Sequence, residues 1–355
     1  MTRDDAHPVV RRIRAFFHTP YAWGIVAIVV LLIVNLLRDP TYLEITLNPA
    51  NGHLVGNLLD ILRASAPILM IAVGMCLVIA TGGIDLSVGS VMAVSGAVSM
   101  EALNALGPSD SGVAALGALA LALGLSTVLG LVNGFLVSVV RLQPFITTLI
   151  MMMAGRGIAR VITEGQNTNA SNDVFRWIAN GYVFGLPVVV LIAAGIVVAV
   201  GLLVRRTALG LMIEAIGINE TASRMAGITP RGLLLTVYAI SGALAGMAGV
   251  FATSTVMTVD VSRTGYLLEL DAILAVVIGG TALSGGKFSL GGAVVGALVI
   301  ATLDKTVVFL GIPSAATPAF KAIVIIVLCL LQSSRVREFF ARRRAQTVRP
   351  KERVA

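Results

Sequence analysis

The sequence contains few charged, aromatic, cysteine and histidine residues. Of its 355 residues, 12% are charged and 5% are aromatic, whereas 57% are hydrophobic. The mean hydropathy is +0.94. A chain of this composition has too little polar surface to cover a soluble globule, so lipid must be its solvent. This excludes a water-soluble domain as the main body of the protein.

Cysteine and histidine are too few and too scattered for a metal or catalytic centre. Cys76 and Cys329 both lie within apolar runs and are far apart in sequence, so they form neither a disulfide framework nor a metal motif. The three histidines, His7, His18 and His53, lie in terminal or inter-span stretches, where a solvated position is favoured over a ligand role. We predict no enzyme activity, no cofactor and no metal site.

Long apolar runs recur from one end of the chain to the other. A membrane-spanning helix needs about 20 mainly apolar residues. The candidate runs are Tyr21–Leu37, Leu58–Ala80, Leu86–Leu106, Val113–Val140, Phe145–Ile162, Val183–Val204, Leu233–Ser254, Asp271–Ser284, Phe288–Leu310 and Ala319–Gln332. The sequence predicts an all-α, polytopic transmembrane helix bundle of about ten spans. Because Asp271–Ser284 is also short enough for a broken or re-entrant segment, the expected range is eight to ten.

Basic residues predict the orientation of the bundle. Lysine and arginine collect on the cytoplasmic side of membrane proteins, and one orientation places most of the basic inter-span segments and both termini on that side. The domains are then a basic segment 1–20, a transmembrane domain 21–332 with a cytoplasmic segment 205–232, and a basic tail 333–355. Topology accounts for the net charge of +8, so no nucleic-acid partner is expected.

Glycine has two patterns inside the predicted spans. Pairs spaced four residues apart predict close approach of helix backbones in lipid; they are Gly130 with Gly134, Gly242 with Gly246, and Gly292 with Gly296. Two breaks, Gly82–Gly89 and Gly279–Gly286, share the pattern GGxxLSxG. Interrupted segments in corresponding places indicate an internal repeat of a transporter, here with both copies in one orientation. The same match also fits two unrelated turns.

Asp85 is a carboxylate within the membrane region. Such a group is costly when unpaired and is usually functional, whereas an aspartate at a helix start also caps backbone amides. The two interpretations are compatible, because a capping residue can border a pathway. Asp304 and Lys305 are the central ionisable pair, and as neighbours they are expected to neutralise each other. Ion coupling is therefore not predicted.

The loop Gly280–Phe288 is similar to a phosphate-binding loop without matching it. The pattern requires glycine at the position of Thr281 and serine or threonine at that of Phe288. We therefore predict that the chain does not bind ATP itself.

Segment 205–232 is longer than a simple connection between spans needs. Leu209, Met212, Ile213 and Ile216 recur at helical spacing, which predicts an amphipathic helix. The apolar side of such a helix is buried either on a partner protein or in the membrane interface. Periodicity leaves both alternatives open.

Several motifs resemble one family, the bacterial sugar ABC transporter permeases of the ribose and galactofuranose type. The resemblance covers nearly the whole chain and is weakest before Tyr21 and after Gln332. The motifs are Ala80–Gly89 (ATGGIDLSVG), Leu142–Phe145 (LQPF), Met153–Gly157 (MAGRG), Thr207–Gly210 (TALG), Glu214–Gly217 (EAIG), Ala226–Ile228 (AGI) and Leu268–Gly280 (LELDAILAVVIGG). The motifs at 207–210 and 268–280 are closer to galactofuranose importers than to ribose permeases.

The resemblance implies a multi-pass subunit of the bacterial inner membrane that carries a monosaccharide. Its expected partners are a cytoplasmic ABC ATPase, a second permease subunit, identical or different, and a periplasmic sugar-binding protein. The segment matching Ala208–Ile228 looks like the region that docks on the ATPase. The expected coupling residues are Ala208, Leu209, Gly210, Glu214, Ala215, Gly217, Asn219, Glu220, Ala226 and Gly227.

Only weak sugar contacts are expected in the permease, because a tight site would trap its cargo. Hydrogen-bonding side chains near span ends are the pathway candidates, namely Asp85, Ser87, Asn133 and Gln143. Two alternatives stand beside the sugar importer: an ABC permease for branched-chain amino acids and a self-contained secondary transporter. A membrane-embedded enzyme lacks a converging group of histidine, cysteine or carboxylate residues.

Overall fold

The computed structural model describes residues 19, 21–49 and 52–332. The tail 333–355 and the basic segment 1–20, apart from Thr19, lie outside the described residues. So does the predicted cytoplasmic position of the two termini.

The described part of the chain is mostly α-helical. They are α1 (Ala22–Arg38), α2 (Asn57–Ala80), α3 (Val88–Leu106), α4 (Gly112–Ser138), α5 (Pro144–Ile162), α6 (Asp173–Asn180), α7 (Val188–Arg206), α8 (Leu209–Ile218), α9 (Glu220–Met225), α10 (Pro230–Val256), α11 (Leu268–Ile278), α12 (Leu290–Phe309) and α13 (Thr317–Gln332). A short 3-10 helix, Ser314–Ala316, precedes α13.

Short antiparallel strand pairs tie some of the loops together. The strands are β1 (Thr46–Leu47), β2 (Leu54–Val55), β3 (Thr168–Asn169), β4 (Tyr182–Val183), β5 (Leu186–Pro187) and β6 (Thr258–Val259). β1 pairs with β2, β4 with β5, and β3 with β6. The last pair joins the loop after α5 to the loop after α10, which are distant in sequence.

Each predicted apolar run contains a helix. Six helices of the described chain are long and apolar enough to cross a membrane, namely α2, α4, α5, α7, α10 and α12. The molecule is therefore a helical membrane bundle. Two predicted boundaries were wrong: the run that begins at Val183 opens with the β4–β5 hairpin, so its helix starts at Val188, and α11 ends at Ile278, before the glycine-rich break.

Helix α2 is enclosed by other helices, chiefly α10, α11 and α12. Every residue from Met70 to Ala80 is buried, including Gly74 and Cys76. In lipid this enclosure depends on close packing, because the surrounding acyl chains are as apolar as the helix itself.

The glycine pairs place helix backbones in direct contact, as predicted. A Cβ added at Gly130 would overlap the backbone of α10 at Tyr238 and Gly242, and one added at Gly292 would overlap the backbone of Gly279. Helix α4 therefore packs closely on α10, and α12 packs on the end of α11.

The two glycine-rich breaks end their helices with the same backbone geometry. Gly82 and Gly280 both have left-handed φ angles, +82° and +87°. The amide after each glycine bonds back to the last turn, from Gly83 to the carbonyl of Val78 and from Thr281 to that of Val276, both at 3.2 Å. These are Schellman-type caps. The cap pairs Gly82 with Gly280, whereas the sequence pattern pairs Gly82 with Gly279, so the two alignments differ by one residue.

The breaks also lie against each other. The amide of Gly286 donates a hydrogen bond of 2.9 Å to the carbonyl of Ala80 at the end of α2. The Cys76 thiol lies 3.8 Å from the Thr281 hydroxyl. Helices α2 and α11 therefore end at the same level of the bundle, in agreement with the single orientation expected for the two segments.

Candidate functional site

A buried polar network lies behind the first glycine-rich break. One carboxylate oxygen of Asp85 accepts hydrogen bonds from the Ser87 amide at 3.0 Å and the Ser87 hydroxyl at 2.6 Å. The other accepts one from the Ser241 hydroxyl of α10 at 2.8 Å. The Asn133 amide of α4 donates to the Ser87 oxygen at 2.8 Å. The network thus joins the break to α4 and α10.

Asp85 is not the N-cap of helix α3, contrary to that interpretation of the sequence. The N-cap position belongs to Ser87, which makes no side-chain capping bond. Asp85 instead closes a turn two residues earlier by accepting the Ser87 amide. Its position supports the start of the helix indirectly.

The network has no access to solvent in this conformation. Asp85 and Ser87 are each 1% exposed and Asn133 is fully buried. Ser241, also 1% exposed, is the member that the sequence analysis missed. Its sequence signal was a hydroxyl beside Gly242 in an otherwise apolar span, at the closest approach of α10 to its neighbours.

Gln143, the fourth pathway candidate, lies outside this network. It is exposed at the N-cap of α5 and lines a cavity of about 580 Å³. The other residues that line this cavity come from the first break, the end of α4, the start of α10 and segment 205–232. They include Thr81, Gly83, Ser138, Arg141, Glu220, Arg224, Arg231 and Tyr238. Three of the four candidates thus share one buried network, and the fourth faces an open cavity.

Segment 205–232 forms two helices with a bend between them. Asn219 ends α8 and begins α9, and its side-chain oxygen accepts the Ala222 amide at 2.9 Å. Glu220 and Arg224 pair across one turn of α9 at 3.4 Å. The sequence predicted one amphipathic helix; the asparagine cap divides it into two.

One side of this segment packs on the bundle. Ile213 and Ile216 are buried, as the helical spacing predicted, whereas Met212 is 37% exposed and does not belong to the buried stripe. At Gly217 a Cβ would overlap the carbonyl of Ala80 and the amide of Gly286. Gly217 therefore lies against both the end of α2 and the last residue of the second glycine-rich break.

The opposite side of the segment is apolar and exposed. Leu211 is 75% exposed, Ile218 70% and Met225 86%. Helix α8 thus has two apolar sides, of which the bundle covers one. An exposed apolar surface of this kind marks a contact with another protein or with lipid.

The expected coupling residues divide between these two sides. Ala208, Asn219, Glu220, Ala226 and Gly227 are exposed, Leu209, Glu214, Ala215 and Gly217 are half-buried, and Gly210 is buried against the backbone of Val204.

The expected neutralisation of Asp304 by Lys305 was wrong. Asp304 instead pairs with Lys321 of α13 at 2.7 Å, and Lys321 also binds Asp271 of α11 at 3.0 Å. The Lys321 side chain is 16% exposed and that of Asp271 14%. Adjacent residues on a helix point in different directions, so Lys305 cannot take the place of a residue from a facing helix.

Among the described residues, no group of histidine, cysteine and carboxylate side chains is arranged for a metal ion.

A bundle of apolar helices that encloses a polar network and carries an exposed two-helix segment is typical of a membrane transport permease. Comparison with known proteins agrees. Residues 57–331 match the family model described as the branched-chain amino acid transport system / permease component. The chain belongs to this permease family.

Curated relatives match over most of the chain. The fructose import permease of Bifidobacterium longum (strain NCC 2705) is 53% identical over 90% of this chain and 89% of its own length. The galactofuranose transporter permease of Escherichia coli K12 is 42% identical over 88% and 89%. The ribose import permease of the same strain is 38% identical over 82% and 89%. The expected order of galactofuranose before ribose holds, and the fructose permease is more similar than either. No solved structure matches the chain.

Proposed function

We propose that this chain is the membrane permease subunit of an ABC importer that carries a monosaccharide across the bacterial inner membrane. The observation that carries the proposal is the similarity to sugar import permeases over more than four fifths of the chain, with 53% identity to a fructose permease. A ketohexose or a furanose sugar is the cargo class that these relatives favour.

The proposal includes three partners. A cytoplasmic ATPase docks on the exposed apolar side of segment 205–232 and buries the side chains of Leu211, Ile218 and Met225. A second permease subunit, identical or different, completes the pathway, and a periplasmic sugar-binding protein delivers the cargo. The same apolar side also fits the membrane interface, which is the alternative that periodicity leaves open.

Gly217 is the proposed coupling point. Because a Cβ at this position would overlap both Ala80 and Gly286, movement of α8 acts directly on the end of α2 and on the second glycine-rich break before α12. ATP binding to the partner favours one position of α8, and the breaks then shift the population of bundle conformations. The buried network of Asp85, Ser87, Asn133 and Ser241 opens in the alternative conformation and offers the sugar weak hydrogen bonds.

Branched-chain amino acids are the second candidate cargo, because the matching family model is described by that transport system. Uptake of a labelled sugar and uptake of labelled leucine are measured separately to distinguish the two. Under the sugar proposal the labelled sugar is taken up, and excess fructose, galactofuranose or ribose suppresses its uptake. Under the alternative labelled leucine is taken up, and excess unlabelled leucine suppresses its uptake.

Reconstitution with partners tests the function and its coupling. The chain, the ATPase and the sugar-binding protein encoded beside it are placed in proteoliposomes, and ATP hydrolysis and sugar uptake are measured together. Sugar with its binding protein is expected to raise hydrolysis. Uphill uptake by the chain alone would contradict the proposal.

Gly217→Ala tests the coupling point in the same vesicles. The added Cβ displaces α8, so uptake per ATP hydrolysed is expected to fall roughly tenfold or more, as for a misplacement of about 1 Å. Gly232→Ala is the matched control, since no atom lies within 4 Å of its added Cβ. Equal uptake by both variants would contradict the role of Gly217.

A further inference from the structure

The cavity beside segment 205–232 has a lining that suits an anion. Its wall includes Arg141, Arg224 and Arg231, and among the described residues one carboxylate, Glu220. Glu220 is paired with Arg224 at 3.4 Å. Within the described chain no ion pair joins Arg141 or Arg231 to a carboxylate. Two guanidinium groups at this wall are thus free to bind negative charge.

Two helix N-termini also meet at this cavity. Gln143 and Pro144 begin α5, Pro230 and Arg231 begin α10, and all four residues line the wall. Both helices have proline at their start, and neither N-cap side chain makes a capping hydrogen bond. The free amides of a first helical turn and the positive end of the helix dipole attract anions.

Two buried hydroxyl-bearing residues of the wall point independently to a ligand. Tyr238 is fully buried and Ser138 is 6% exposed. Neither the Tyr238 Oη nor the Ser138 Oγ has a hydrogen-bond partner among the described residues. A buried hydroxyl without a partner is unfavourable, and both groups can donate to the oxygen atoms of a bound anion.

We propose that this cavity binds an anion that carries a phosphate group. Arg141 and Arg231, the first turns of α5 and α10, and the hydroxyls of Ser138 and Tyr238 are its binding groups. Planar guanidinium groups and backbone amides both match the geometry of phosphate oxygens, and a volume of about 580 Å³ is in the range of ligand sites. The phosphate belongs either to a free anion or to the headgroup of an acidic phospholipid.

Such a ligand would contact both segment 205–232 and the bundle. Ile216, Glu220 and Arg224 belong to segment 205–232, and Tyr238 belongs to the bundle, yet all of them line this cavity. A bound phosphate group therefore links the segment to the bundle and opposes movement between them. This effect on transport rests on the proposed function; the binding does not.

Binding is measured on the purified full-length chain in phosphatidylcholine nanodiscs. Inorganic phosphate is titrated against chloride at constant ionic strength, and thermal unfolding is followed. For a free anion we expect a saturable rise of Tm with phosphate alone. The Arg141→Gln/Arg231→Gln double variant should weaken the apparent affinity at least roughly tenfold, because hydrogen bonds to charged groups are lost. Arg206→Gln, an exposed arginine that does not line the cavity, is the matched control and should bind as the parent does.

Tyr238→Phe is a second test variant, chosen because it should fold as the parent does. It keeps the ring in place and removes only the hydroxyl without a partner, so Tm without phosphate should be unchanged while phosphate binds several-fold more weakly.

A lipid arm identifies the other source of phosphate. Native mass spectrometry of the chain from nanodiscs with equal phosphatidylglycerol and phosphatidylcholine should show phosphatidylglycerol retained by the parent and lost from the double variant. Saturation by inorganic phosphate identifies a free anion, and selective retention of phosphatidylglycerol identifies a headgroup. The absence of both effects, or equal binding by parent and double variant, would overturn the site. Sugar uptake is measured separately, so failure of the transport proposal is distinguishable.

Discussion

The carboxylate of Asp85 accepts three hydrogen bonds from two parts of the chain. Two come from Ser87 next to it, and the third comes from Ser241 on α10. The local bonds fix the turn before α3, whereas the distant bond fixes that turn against another helix. A single buried side chain therefore both shapes the break and positions it.

Asp85→Ala is expected to destabilise the protein by about 2 kcal/mol or more, because it leaves the buried amide and hydroxyl of Ser87 and the hydroxyl of Ser241 without their acceptor. Thermal unfolding in detergent measures the loss. Asp85→Asn keeps an acceptor for Ser87 and should lose less, and Ser241→Ala removes the distant bond alone. An Asp85→Ala protein as stable as its parent would refute this account of the network. If Asp85→Asn is stable and still transports at the parental rate, the pathway role of Asp85 fails.

The sequence was informative about which residues matter here and uninformative about how they meet. Asp85, Ser87 and Asn133 stood out because hydrogen-bonding side chains are rare within apolar runs and at their ends. Ser241 did not, since a hydroxyl that bonds its own helix backbone is common in membrane helices. Its bond to Asp85 depends on the packing of α10 against the break, which no local pattern encodes.

At the scale of helices, the Lys321 ammonium group holds α13 to both α11 and α12. Its two carboxylate partners, Asp271 and Asp304, come from different helices, and all three side chains are mostly shielded. The cluster has two carboxylates for one ammonium group, so removing the lysine leaves like charges close together in a region of low polarity.

Lys321→Met should therefore lower stability by about 2 kcal/mol or more and loosen the end of the bundle. The measurement is thermal unfolding together with hydrogen exchange of α13. Combining Lys321→Met with Asp304→Asn should recover part of the loss, because a carboxylate is neutralised. Lys305→Met is the control, and a loss as large as that of Lys321→Met would contradict the pairing.

The helices themselves were predictable because lipid requires backbone groups to bond within each segment. Long apolar runs therefore become helices wherever they occur. The exposure of Met212 was not predictable, because helical spacing identifies a stripe of residues but not which edge of that stripe a neighbour covers. The one-residue offset between the breaks has a similar cause, since the position of a cap is set by backbone geometry.

For the whole molecule, orientation in the membrane is the property with the largest consequences. Helix α7 separates the hairpin at Phe184, which is 99% exposed, from the segment that contains Met225. The distribution of basic residues predicts that the segment lies in the cytoplasm and the hairpin outside.

Cysteine labelling checks this orientation. Met225→Cys should react with a membrane-impermeant maleimide only in inside-out vesicles, and Phe184→Cys only in intact spheroplasts. The parent chain, which keeps Cys76 and Cys329, is the background control. Labelling of Met225→Cys in spheroplasts would reverse the orientation and remove the site proposed for the ATPase.

The enclosure of helix α2 has a consequence for biosynthesis. This helix leaves the ribosome early, yet the helices that surround it, α10 to α12, are made only after residue 230. Until then its flanks, including Gly74, must be solvated by acyl chains. Assembly therefore ends with the displacement of lipid from α2 by the last third of the chain, and a nascent protein truncated before α10 would present this helix to the bilayer or to an insertion chaperone.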